Sequence, residues 1–244
     1  MDCKINTSSP PILCKLHRTK PNFRIKTIAF SSNSAANQQE SISTTIHSQI
    51  QPVQTDVYAV NFKTLGACKL GISAYPDFEY NAEGGSGSGT GTKTKGNDLN
   101  EEISVCFDME TLYIPPLTGG TTKFLGLPLP PFLKIDIVPE LFQGIINLES
   151  GQQVDFEFMA KFCFSVGSIY KAPPLLVRTV LTSEESRGRM RSGRGERLDG
   201  IGKCRLVGVA TVDPIDDIIM NSFLRLPTEC LANLNAVISS VKSS

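Results

Sequence analysis

Carboxylates, tyrosines, lysines and cysteines, and not imidazole, are the groups with which the main part of this sequence could carry out acid–base chemistry. Its only histidines, His17 and His47, lie in the first 50 residues. The remainder is therefore without Ser–His or Cys–His catalysis and without His-ligated metal. Asp155 and Glu157 stand at i, i+2 on the polar face of one alternating stretch. They form a proton-transfer pair if that face lines a cavity, and a wet outer pair if the sheet is covered on one side only. Asp213, Asp216 and Asp217 have the composition of a metal cluster, yet the Asp-Pro start of a helix accounts for all three, and no metal site is expected. Cys68, Cys106, Cys163, Cys204 and Cys230 form no CxxC pair and are odd in number, so they read as reduced core residues. Gly91-Thr92-Lys93-Thr94 has its lysine misplaced for a phosphate-binding loop. No cofactor is expected.

Two groups of residues suit binding better than catalysis. Arg187, Arg189 and Arg191 alternate onto one face of a strand, where they would make an anion stripe for a phosphate, a carboxylate or a lipid headgroup. With Glu184, Glu185 and Glu196 beside them, they equally make a balanced, solvated face. No aromatic residues accompany them, which argues against nucleic acid. Tyr113 to Leu133 contains Pro115, Pro116, Pro128, Pro130 and Pro131, with no charge between Lys123 and Lys134. Its Phe124, Leu127, Leu129 and Phe132 form a lid over a cavity or a wedge into an anionic membrane surface, or else a loop packed on the core.

The element that positions these groups is Gln153 to Val166. Val154, Phe156, Phe158, Ala160, Phe162, Phe164 and Val166 alternate with Asp155, Glu157, Met159, Lys161, Cys163 and Ser165, the signature of a strand with one buried face. At about 3.4 Å per residue it runs roughly 45 Å, so it must twist across a strongly coiled sheet. Phe156, Phe158, Phe162 and Phe164 are the candidate lining of an apolar ligand site. Thr55 to Tyr80 reads as one or two strands, followed by strands over Glu102 to Met109, Lys134 to Val138, Leu141 to Glu149 and Leu175 to Thr182. Ser186 to Leu198 and Ile201 to Val212 flank an Asp199-Gly200 hairpin turn. Gly84 to Gly96, with no hydrophobic residue, reads as a flexible loop. From Pro214 to Val241, a stripe of Ile215, Ile218, Ile219, Phe223, Leu226, Leu231, Leu234, Ile238 and Val241 predicts an amphipathic helix kinked at Pro227. The expected fold is mainly β with α: a curved antiparallel sheet or barrel of about 7–9 strands closed by that C-terminal helix.

Composition sets location and domain count. The chain has 244 residues. Residues 1–50 hold six basic and two acidic residues and many Ser, Thr and Asn, and have no apolar run, which reads as a disordered transit peptide, for a plastid first and a mitochondrion second. Residues 51–244 form a single β-rich domain with 18 basic and 22 acidic residues, a balance unlike that of a polyanion binder. No window is long and apolar enough for a transmembrane helix.

Phe142 to Val241, and above all Gly193 to Val212 followed by Pro214 to Val241, resembles the helix-grip (START-like, SRPBCC) proteins, including plant and cyanobacterial members of that class. The resemblance implies a curved sheet wrapped around a long C-terminal helix and a hydrophobic pocket between them. It departs at the start, where glycine-broken strand stands in place of helices. A lipocalin-like barrel with a trailing helix fits the hairpins equally, and neither implies particular ligand residues. The expected function is a plastid protein, soluble or peripheral at the thylakoid or envelope surface, that binds a lipid or pigment without catalysis. The alternatives are a chloroplast assembly factor with the arginine hairpin or proline loop as its contact surface, and a His-independent enzyme.

Overall fold

The structure, a computed structural model, describes residues 55–94, 102–148 and 152–243. They belong to one compact unit, Val53–Ser244. The proposed transit segment, 1–50, lies outside the described residues. In chain order the elements are β1 (Thr55–Thr64), β2 (Cys68–Ile72), β3 (Phe78–Tyr80), β4 (Ser86–Thr94), β5 (Glu102–Phe107), β6 (Thr122–Phe124), β7 (Leu127–Pro128), β8 (Leu133–Asn147), β9 (Gln153–Val166), β10 (Tyr170–Lys171), β11 (Leu175–Thr182), β12 (Glu185–Arg187), β13 (Ser192–Arg194), β14 (Lys203–Val212), α1 (Ile218–Leu224) and β15 (Thr228–Lys242). The chain is mainly β, and its large antiparallel sheet contains a ring of eight strands in the order β1-β4-β5-β8-β9-β11-β14-β15, with β15 returning to β1.

The closing strand is the segment whose sequence predicts a helix. Only Ile218–Leu224 is helical, and Thr228–Lys242 is β15, so the expected helix over 214–241 and its closure of the sheet are corrected. The physical reason lies in a second period. Thr228, Cys230, Ala232, Leu234, Ala236 and Ile238 alternate inward with Glu229, Leu231, Asn233, Asn235 and Val237, and Leu234 and Ile238 satisfy both this period and the helical one. Long-range pairing decides between them. β15 pairs with β14 from Thr228 to Val237, and on its other side with β2 and then β1. The helix itself stops at Arg225, which caps it in the left-handed region with its N–H donated to the Asn221 carbonyl, and Pro227 prevents continuation.

The stretch 84–96 is corrected too, because Ser86–Thr94 is strand β4, paired with β1 and β5. Its Gly-Ser/Thr alternation is a period-2 pattern with glycine on the inner face. At Gly89 a Cβ would stand 2.5 Å from the Cys106 carbonyl oxygen and 2.9 Å from the Phe107 Cα. Neighbouring strands fill the space that side chains of β4 would occupy. β8 merges two expected strands into one, accommodating Pro139 at a bulge between Pro139 and Leu141, where a missing N–H is tolerated. Ser186 to Leu198 is not one arm of a hairpin. It folds back as the separate β12–β13 pair, and the chain turns again over Asp199–Gly202.

β9 matches its expected bounds. Its inner face runs through two regions of the ring. At one end Phe156 packs with Phe62, Phe107, Phe142 and Phe158, with Phe107 stacked on Phe142 at 4.5 Å and Phe156 edge-on to Phe142 at 5.1 Å. These contacts fill that end with aromatic side chains. Toward the other end Phe162 and Phe164 face a second cluster with Tyr80, Leu117, Leu129 and Leu224. Over this end lies a flap, β2-β3-β6-β7, that branches from the first half of β15. The flap is possible because β1 breaks from β2 at Leu65–Ala67, where Asn235 Nδ2 donates to the Gly66 and Ala67 carbonyls at 3.2 and 3.0 Å.

One buried carboxylate ties the β12–β13 hairpin to the ring. Glu229 on β15 accepts backbone N–H groups from Arg189, Met190 and Arg191 at 2.6, 2.7 and 3.0 Å. Those bonds, led by Arg189 and Met190, hold its carboxyl below the usual range. Stabilisation from this group is therefore present above the unfolded carboxylate range and is lost as pH falls through the lowered folded value. Glu229→Gln, which turns an acceptor toward the loop into a donor, should lower the melting temperature at pH 7. The gap from wild type should close as pH falls below about 4, the unfolded Glu value. A gap that widens on acidification counts against this assignment. For β4, Gly89→Val should cost roughly 2–3 kcal/mol in denaturant unfolding through overpacking, whereas Thr90→Val, on the outer face, should change stability by less than about 0.5 kcal/mol.

Candidate functional site

Between the aromatic-filled end of the ring, the flap and α1 lies a cavity of about 520 Å³. Alternation on β9 aims Phe158, Phe162 and Phe164 into it, and Phe156 sits below, inside the aromatic cluster. β11 contributes Leu175, Val177, Thr179 and Leu181, and β15 contributes Thr228, Cys230, Ala232 and Leu234 at every second residue. The flap lays Leu70, Ile72, Phe78 and Phe124 over the opening. Phe124 stacks on Phe78 at 4.7 Å and meets Tyr75 edge-on at 6.3 Å, and Tyr75 in turn lies 5.8 Å from Phe223 of α1. Tyr75 thus bridges the flap and the helix at the mouth, its hydroxyl donating to the Phe223 carbonyl.

The proline-rich stretch supplies both wall and rim. Phe124, Leu127 and Leu129 line the cavity; Leu129 is buried, while Leu125 and Leu127 are 71% and 70% exposed. Phe132 does not line it and points outward, 79% exposed.

No charged side chain lines the cavity, and most of its polar groups are already bonded to the protein. The Tyr80 hydroxyl donates to the Pro115 carbonyl, and burial raises its pKa above the ordinary tyrosine range. Thr179 Oγ1 donates to the Val209 carbonyl at 2.8 Å, while Val209 N–H donates to Ser186 Oγ at 3.1 Å. These two hydroxyls serve the backbone where β11 and β14 meet in register only at Thr182 and Val207. Burial pushes the Cys230 thiol up to about 11, so it is a neutral, unreactive wall group at physiological pH.

The three arginines expected as one stripe are placed apart. Arg187 is exposed and paired with Glu185 at 2.6 Å, and Arg189 lies in the turn held by Glu229. Arg191, its side chain 19% exposed, bends back to the flap, donating to Asp77 at 2.6 Å and to the Ile72 and Tyr75 carbonyls at 2.5 and 2.6 Å. It is a staple for the Ser73–Asp77 turn that presents Tyr75. Asp155 accepts from Gln153 Nε2 at 2.8 Å and from Thr182, and Glu157 pairs with Arg178. Both carboxylates lie on the face of β9 away from the cavity, so of the two readings the sequence offers they take the outer one, and no proton-transfer pair is assembled there. Asp217 caps α1, accepting from Met220 N–H at 2.8 Å. Among the described residues no group of His, Cys, Asp or Glu is arranged to hold a metal ion, and no two cysteines form a disulfide.

Sequence reasoning missed Tyr75, Glu229 and the lining residues of β15. The inward alternation from Thr228 to Ile238 was the available signal for the last of these, whereas no local pattern marks Tyr75 or Glu229, whose partners are distant in the chain. Comparison with known proteins finds no protein-family model that matches the chain, no curated protein that matches it significantly and no solved structure that matches it significantly.

Proposed function

We propose that this protein holds a hydrophobic small molecule, a lipid or a pigment, in the cavity under the flap. The observation that carries the reading is the lining: about 520 Å³ without one charged side chain. That volume falls within the usual range for ligand pockets. An apolar occupant would take this wall surface out of contact with water, the dominant favourable contribution to binding at such a site. Leu125, Leu127 and Phe223 both line the cavity and face outward, which supports loading from a lipid surface.

Organic extraction and native mass spectrometry of protein purified from its source should release a hydrophobic compound. Resupplied at about 100 times its dissociation constant, that compound should stabilise the fold by about 2.7 kcal/mol. Ala232→Phe, which fills the cavity from β15, should keep the fold but lose the compound and this stabilisation. A folded Ala232→Phe protein that retains the compound overturns the location, and protein that is empty from every preparation overturns the reading. Liposome flotation tests the loading surface: Leu125→Glu/Leu127→Glu should reduce flotation at least about tenfold, given the cost of carrying charge into the acyl boundary.

A further inference from the structure

The distribution of polar groups around the cavity restricts the ligand further, and this inference rests on the binding function proposed above. The deep end, where the cavity meets the aromatic cluster, is formed by Phe158 and Leu181. Neither carries a hydrogen-bonding side chain. Above them, the Tyr80 and Thr179 hydroxyls are donated to the Pro115 and Val209 carbonyls. Thr228 and Cys230 remain as polar groups a ligand can meet. Both are neutral, and they stand two residues apart on one wall. Arg191, whose charge acts on Cys230, is committed to Asp77 and to two flap carbonyls. A charged group in the deep half would thus be buried without counter-charge or donor, which a protein interior resists strongly.

We propose that the cavity takes an uncharged hydrocarbon end first, such as an acyl or isoprenoid chain, and leaves any charged headgroup outside between Tyr75, Phe223 and the β6–β7 turn. A cavity of about 520 Å³ falls within the usual range for one small-molecule ligand. The lining selects against a second charge at the far end of the chain and not against charge as such, because a single headgroup remains in water.

A displacement assay on the intact chain with an environment-sensitive fluorophore tests this with three probes of equal chain length: palmitate, methyl palmitate and hexadecanedioate, at pH 8. The first two should displace the fluorophore with affinities within about tenfold of each other. The dicarboxylate, which must bury one carboxylate or leave the cavity half empty, should bind about 100-fold more weakly or not at all. Hexadecanedioate binding within threefold of palmitate would overturn the end-first selection while leaving the binding function intact. Failure of all three to displace a fluorophore that the folded protein binds would overturn the selection alone, whereas folded protein that binds neither the fluorophore nor any probe would overturn the function on which it rests. Acidification adds an independent arm: at pH 4, near the carboxyl pKa, the dicarboxylate should regain affinity relative to palmitate, and an unchanged ratio would count against desolvation as the cause.

Discussion

The pairing of β15 on both of its edges is the constraint on which the rest of this structure depends. A strand with an open edge presents unpaired N–H and C=O groups to solvent and to other chains. Here one edge of β15 meets β14 over ten residues, and the other meets β2 and then β1. Those pairings join the last element to the first and close the ring. They also divide the other edge between ring and flap, so one strand fixes both the wall of the cavity and the origin of its cover. Thr228, Cys230, Ala232 and Leu234 face the cavity, while Glu229 faces the hairpin that reaches the flap.

A closed ring of eight strands has an interior just wide enough to be filled by side chains or to hold one small ligand. This one does each in a different half. Phe62, Phe107, Phe142, Phe156 and Phe158 fill the first half, and the inward glycines of β4 leave room for them. In the second half β15 and β14 offer Ala232, Ala210 and Gly208 to the interior, and the small side chains leave space where the first half has rings. The cavity is therefore a consequence of residue volume along the strands. Its apolar character follows from the same alternation that builds the core.

The sequence revealed those parts of the fold whose local pattern agrees with their long-range partners. β9 was legible to the residue because fourteen positions alternate with aromatic residues on one face and no turn signal interrupts them. Phe158, Phe162 and Phe164 were legible as cavity lining for the same reason. β4 was hidden because glycine on the inner face looks like a linker; only the bulky residues opposite, supplied by β5, make it a strand. β15 was misread because Leu231, Leu234, Ile238 and Val241 satisfy the helical period while its β-branched and inward-alternating residues satisfy the other. Short-range information cannot arbitrate where tertiary pairing overrides propensity. The arginine stripe failed at a turn: residues 188–191 fold back, and alternation across a turn places nothing on a common face.

That turn explains how a surface hairpin bears on a buried cavity. Glu229 fixes the backbone of Arg189, Met190 and Arg191, and this aims the Arg191 guanidinium at the Ile72 and Tyr75 carbonyls and at Asp77. Gly188 permits the approach, since a Cβ there would lie 2.6 Å from the Glu229 carboxylate. The Ser73–Asp77 turn carries Tyr75, and Tyr75 spans the mouth between Phe124 and Phe223. The charged groups of this region are thus spent in tying backbone to backbone on the outside, and only aromatic and aliphatic surface is turned toward the cavity. Such an arrangement keeps the opening positioned without placing a charge where a hydrocarbon would have to pass. The polar network and the apolar lining are therefore two faces of one requirement: a flap held in place by groups that never enter the space it covers.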